Sequence, residues 1–205
     1  MALVSFASSM REIPKATSLN YKNGVSAFVS TRTVIAYWLI PAEPARSFFQ
    51  QVINDLACCY DAPVFEPHVT IHAGSNRADS AESALSEAAR FCKPIRLKAL
   101  EIGHSSEFIK TLFVEFALNA ELQQLSKIIR SAAEDSSHYE LRPHLSLLYK
   151  KIPDAARREL SGSIEAPFSQ VRFDALRAVR CISPTRSRSD VEAWRVVVTT
   201  ELPAR

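Results

Sequence analysis

The sequence predicts an α+β fold in which one structural unit occurs twice, giving two lobes of antiparallel sheet, outer helices and a central cleft. Three observations predict it. The order of strands and helices read from hydrophobic periodicity repeats along the chain. Two short strands at equivalent places in the repeat carry the same residue pattern. And 47% hydrophobic with 23% charged residues, over 205 positions, is the composition of a globular chain large enough to bury a full core.

The elements follow in order. Residues 33–40 are rich in β-branched and aromatic side chains and stop at Pro41, which reads as a strand. Residues 43–60 place Phe48, Phe49, Val52, Ile53 and Leu56 on one helical face. A short strand over 66–73 opens at Pro67 and closes at Gly74, and the Ala- and Glu-rich stretch 77–92 is helical. Residues 95–102 and 109–118 alternate as strands, joined by a polar loop at 104–107. Then the order recurs. Asn119 caps a helix running to about 134, with Leu122, Leu125, Ile129 and Ala132 inward. Residues 141–149 form a strand containing Pro143, 153–161 a short helix with proline at its start, and 171–181 and 191–200 the last strands, linked by a loop over 183–190.

Charge bounds the function. Of 25 bases and 22 acids, four and one fall in residues 1–32, so the remainder holds 21 of each. A neutral body argues against a surface that coats nucleic acid, which needs many phosphate contacts. Within it, residues 142–205 hold 12 bases and 7 acids, which leaves room for a local anion site. No apolar run approaches the ~20 residues needed to cross a bilayer.

Residues 1–32 are Ser-rich, acid-poor and weakly basic, a composition shared by a disordered tail, an over-extended start (Met10 is a second candidate) and an organelle transit segment. Residues 33–205 are read as a single bilobal domain. Cys58, Cys59, Cys92 and Cys181 lack metal-type spacing, and an adjacent pair within a helix is poorly placed for a disulfide. Reduced, mostly buried thiols in a cytoplasmic compartment are the expectation.

The chemistry lies in two strands. They read Pro67-His68-Val69-Thr70-Ile71 and Pro143-His144-Leu145-Ser146-Leu147, with the histidines 76 positions apart. Side chains alternate along a strand, so histidine and hydroxyl share one face while their apolar neighbours enter the core. A lone histidine on such a strand is more often structural; a matched pair in a duplicated unit points to catalysis. An imidazole titrates near neutrality, so one neutral and one charged ring supply a base and an acid together. Opening a cyclic phosphodiester needs both, one to deprotonate water and one to protonate the departing ribose oxygen. Thr70 and Ser146 would donate hydrogen bonds to the non-bridging phosphate oxygens, and no metal or cofactor is required.

This constellation resembles the two-histidine phosphoesterase superfamily, and within it the cyclic phosphodiesterase branch. Tyr37-Trp38-Leu39-Ile40-Pro41, Phe65-Glu66-Pro67-His68-Val69-Thr70 and Pro143-His144-Leu145-Ser146-Leu147-Leu148-Tyr149 are similar to that branch's opening strand and two motif strands. The resemblance covers about residues 33–200. It implies the bilobal fold, hydrolysis of ADP-ribose cyclic phosphate or nucleoside 2′,3′-cyclic phosphates, His68 and His144 as the catalytic pair, and Thr70 and Ser146 as phosphate ligands. Tyr149 is a candidate for the substrate pocket, with an aromatic at the end of a core strand as the plainer reading.

His72 departs from the pattern. On a regular strand it would join His68 and Thr70 on one face and line the rim of the site; a hydrogen-bonded strand-end histidine is the commoner role. His104 and His138 read as surface residues. An enzyme acting on RNA 3′ ends, a non-catalytic nucleotide or RNA binder, and a metal triad of His68, His72 and His144 are the competing readings. RNA would call for an extended basic groove, for which Arg186 and Arg188 offer a start. The expected partner is a small cyclic phosphate nucleotide, and the expected state a monomer.

Overall fold

The computed structural model describes residues 31–75, 77–135 and 139–203. The tail expected over 1–32 lies outside them as far as residue 30, as does His138; Arg32 already belongs to the first strand. Elements follow the predicted order: β1 (Arg32–Pro41), α1 (Ala45–Tyr60), β2 (Val69–Gly74), α2 (Ala78–Phe91), β3 (Ile95–His104), β4 (Leu112–Phe116), α3 (Ala120–Ala132), β5 (His144–Leu148), α4 (Asp154–Ser163), β6 (Gln170–Ser183), α5 (Arg188–Glu192) and β7 (Arg195–Glu201).

All strand pairs are antiparallel, in the order β1-β2-β5-β4-β3-β6-β7, and β6 also pairs with β1. The expected sheets are therefore hydrogen-bonded into one set, in which six strands close a ring and β7 extends it from β6. The long strand β6 makes this closure. Its start pairs with β3, its middle with β7, and nearly its whole length with β1.

The pairing exposes the duplication. Exchanging β1 with β4, β2 with β5 and β3 with β6 turns β1–β2 into β4–β5 and β1–β6 into β4–β3. Two pairs map onto themselves and lie on the pseudo-two-fold axis: β3–β6 and β2–β5. The motif strands thus meet on the axis, through the single residue pair Val69↔Leu145. Each follows its histidine by one position.

Period-two patterning sets which face is which. In β1, Ile35, Tyr37 and Leu39 enter the main core with Phe49, Leu85, Leu125 and Phe173, while Val34, Ala36, Trp38 and Ile40 form a second cluster on the opposite face. A strand buried on both faces reads as a continuous apolar run, which residues 34–40 are. Helix α1 buries Phe49, Ile53 and Leu56 as its spacing requires, with Phe48 and Val52 at the margin. Cys58 and Cys59 are exposed, not buried as expected, because they fall on the outer face of its last turn. Helix α5 falls where a loop and strand were expected. Its signal was a Ser-x-x-Asp capping box, in which Ser187 Oγ accepts from Asp190 N–H and Asp190 from Ser187 N–H.

Asn119 caps α3 by accepting from Leu122 N–H at 2.8 Å, and its amide donates to the Arg96 carbonyl. Asn119→Ala should lower stability by ~1 kcal/mol or somewhat more, the usual cost of a lost N-cap, read as a lower urea midpoint at unchanged slope.

Candidate active site

Each motif begins with the same small device. The Nδ1 of His68 lies 2.7 Å from the Glu66 carbonyl, and the Nδ1 of His144 lies 2.8 Å from the Arg142 carbonyl. A carbonyl only accepts, so Nδ1 carries the proton and Nε2 of each neutral ring keeps its lone pair for chemistry. The proline between has a fixed φ and no N–H, which favours this tight return of the chain onto itself.

Each motif also ends the same way. Across β1–β2, Trp38 pairs with Thr70 but Tyr37 pairs with His72, so Ile71 is an extra residue. Across β4–β5, Phe113 pairs with Ser146 but Leu112 pairs with Leu148, so Leu147 is extra. Both strands therefore carry a β-bulge directly after the hydroxyl residue. Val69 and Ile71, like Leu145, Leu147 and Leu148, all face the main core. Thr70 faces the Trp38 side, where the cleft lies.

The bulge corrects one expectation. His68, Thr70 and His72 do not share a face, because the extra residue turns His72 to the Tyr37 side. There it is 1% exposed and its Nε2 meets Asp135 Oδ2 at 2.7 Å. Among the described residues no group of three potential ligands gathers to hold a metal, so the His68–His72–His144 triad is not assembled. In β5 the same device works the other way. It brings Tyr149 to the Ser146 side, where its ring stacks on Phe65 at 3.8 Å. Burial raises the Tyr149 phenol above its ordinary range, with the Ser146 hydroxyl opposing. Ser146 Oγ donates to the Ile109 carbonyl at 2.8 Å, which ties the turn Phe108–Lys110 to the site.

The two rings differ in setting. His68 is 6% exposed, stacked on Trp38 at 3.7 Å and 12°, with Phe65 and Trp194 at its edges. Burial pushes it down to about 4 against the pull of the Glu66 carbonyl, and the charge of His144 adds to the depression, as it does only for neighbouring rings. His144 is half-buried, with Phe113 at its edge 5.6 Å away. It too is lowered, first by burial and further by Lys110, while the Arg142 carbonyl, Glu115 and Glu107 oppose. Lys110 Nζ lies over the Phe113 ring at 4.3 Å. Gly103, in register with Phe113, leaves space for that ring: a Cβ there would stand 2.6 Å from it.

Residues 33–202 match the family described as cyclic phosphodiesterase-like protein. The chain belongs to that family. The resemblance carried by the two motifs is thereby confirmed, and the chain is an enzyme that hydrolyses cyclic phosphates, a two-histidine phosphoesterase. It is 21% identical over 175 residues to the cyclic phosphodiesterase of Arabidopsis thaliana, covering 83% of this chain and 96% of that one. It is 30% identical over 148 residues to a 2′,3′-cyclic-nucleotide 3′-phosphodiesterase of Eremothecium gossypii, covering 58% and 66%. Its fold resembles E. coli LigT, crystallised with 3′-AMP (TM-score 0.54, 15% identity, 83% and 98% covered), and a protein of Thermus thermophilus (TM-score 0.54, 14% identity, 82% and 97% covered).

For this phosphodiesterase the motif residues were legible and their neighbours were not. Trp38 and Phe113 read as ordinary strand aromatics. That each sits opposite a motif hydroxyl and against a histidine follows only from register. Lys110 and the cluster of Glu66 with Arg46 (2.7 Å) and Arg177 carry no sequence signal at all.

The depressed His68 has a consequence for stability. Between pH 6.5 and about 4 the unfolded chain protonates this residue while the folded chain keeps it neutral, so the unfolded state binds more protons. His68's contribution is fully present above pH 6.5 and is lost as pH falls toward 4. Urea midpoints should drop over that window, and drop less in His68→Asn, whose side chain does not titrate.

Proposed function

We propose that the chain hydrolyses a nucleoside 2′,3′-cyclic phosphate or ADP-ribose 1″,2″-cyclic phosphate to a phosphomonoester, with His68 and His144 as acid–base pair. The observation that carries this reading is the pseudo-symmetric pair itself: two imidazoles directly before the one residue pair that joins the motif strands, each with Nδ1 occupied by a carbonyl and a hydroxyl two positions on. One Nε2 takes a proton from the attacking water as its oxygen bonds to phosphorus. The other gives a proton to the ribose oxygen as the P–O bond breaks. The bound phosphate anion favours the charged form of a nearby ring, which supplies the acid. Thr70 and Ser146 hold the non-bridging oxygens, the Ser146 hydroxyl proton turning from the Ile109 carbonyl to the phosphate as substrate binds. Exchange of protons between water and the leaving alkoxide needs no metal or cofactor.

A small nucleotide suits the surroundings better than a long RNA. Three cations near the motifs are engaged by carboxylates, Arg46 and Arg177 by Glu66 and Arg142 by Glu140, while Lys110 lies over Phe113 beside His144, a local cation rather than an extended basic track. The relatives' names, cyclic phosphodiesterase and 2′,3′-cyclic-nucleotide 3′-phosphodiesterase, support the same substrate class.

His68→Ala and His144→Ala should each lower kcat by at least ~100-fold, and Ser146→Ala by ~10- to 1000-fold. Phosphorus NMR of product from the two cyclic phosphates checks this; near wild-type turnover by a folded histidine variant would overturn the mechanism. Activity should survive EDTA and dialysis. Because both rings are lowered, kcat/KM should peak on the acid side of pH 6.5 and fall as pH rises, when the imidazolium is lost.

A further inference from the structure

The motif strands share one backbone residue pair, so side-chain ties between their halves of the chain add to what the ladder supplies there. We propose that His72 and Asp135 are positioning residues: they latch the first motif strand to the end of α3, in the half of the chain that carries His144. This inference rests on the acid–base reading of the histidine pair.

The pair joins the two halves of the duplication. His72 follows the bulge of β2, in the strand that carries Thr70, and Asp135 stands between the end of α3 and the segment that enters β5. Their side chains are 1% and 5% exposed and meet at 2.7 Å. A carboxylate only accepts here, so His72 Nε2–H donates. Two further ties flank it. Tyr139, in the same approach to β5, presents its ring edge to His72 at 5.7 Å and donates its hydroxyl to the Thr70 carbonyl at 3.1 Å. Ser126 of α3 donates to the carbonyl of the bulge residue Ile71 at 2.9 Å. All three bonds tie β2 to the second half of the chain.

The duplication supplies an internal control. The position matching His72 is Leu148, which follows the other bulge. The position matching Asp135 is Ala62, since both follow a left-handed residue at a helix end, Asp61 and Glu134. Leu148 and Ala62 are buried in the main core. The equivalent positions thus carry apolar core residues, so polar side chains at the latch positions are not required by the fold. Gly74 is shaped to the latch as well: a Cβ there would stand 1.2 Å from Asp135 Oδ2.

The test copies one half onto the other. His72→Leu with Asp135→Ala should fold with little change in thermal midpoint, because replacing both members of a buried polar pair leaves neither unpaired. It should nevertheless lose ~10- to 100-fold in kcat with KM nearly unchanged, the scale of a small misplacement of catalytic groups. The ring ¹⁵N signals of His68 and His144 should shift. Gly74→Ala, which displaces the carboxylate, should reproduce the loss. Asp135→Asn, which keeps an acceptor for His72, should stay within ~5-fold of wild type. A folded double variant with wild-type kcat, KM and ring signals would overturn the proposal. Should the double variant not fold, full activity of Gly74→Ala would overturn it instead. If the wild-type chain turned over no cyclic phosphate, the acid–base reading would fail, while unshifted ring signals in the variants would still tell against the latch.

Discussion

The structure depends on one constraint: two motif strands meet across a pseudo-two-fold axis although they barely pair. The pseudo-two-fold axis passes through Val69↔Leu145, so the halves meet there edge to edge and nowhere else in the motif strands. On antiparallel strands the position before one member of the pair lies across from the position after the other, so each motif histidine is set opposite the other motif's hydroxyl residue. The β3–β6 pairing, also on the axis, closes the ring from the other side and keeps the halves from hinging apart. For His68 the nearness of its twin adds to the depression that burial imposes on both rings.

The symmetry is broken in the surroundings of the two rings. His68 lies under a stacked Trp38 within an aromatic cluster, whereas His144 meets Phe113 by its edge, with a lysine above that ring. Burial is the larger effect on both, but His144 also feels charged neighbours of both signs. A duplicated scaffold thus presents like ring orientations in unlike dielectric settings. That is how one residue type can serve as two reagents.

Much of this was legible in the sequence, for a definable reason. Periodicity reports which face of an element is buried, and it located every strand and the four longer helices to within a few residues. The motif residues stood out because the same pattern occurs twice. What escaped was whatever depends on register. The bulges at Ile71 and Leu147 add one residue without altering the apolar pattern, since both point into the core as a regular alternation would have it. The reading of His72 as a rim residue assumed that alternation continued past Thr70, and it failed at that step. Tyr149 was a pocket candidate by resemblance alone; the bulge turns it to the Ser146 side, where it is buried against Phe65. Cys58 and Cys59 were misjudged because composition speaks of an average thiol, not of a helix's outer face.

The backbone carbonyls that hold the two rings carry a consequence for how such an enzyme diversifies. Glu66 and Arg142 occupy equivalent positions, yet one bears a negative side chain and the other a positive one. Both offer the same backbone acceptor to the same ring nitrogen. Ring orientation and tautomer are thereby written into the main chain, where no single side-chain replacement can erase them. The exposed Arg142 side chain is thereby free to drift without moving its ring, whereas Glu66 is held to its charge by Arg46 and Arg177 and not by the histidine.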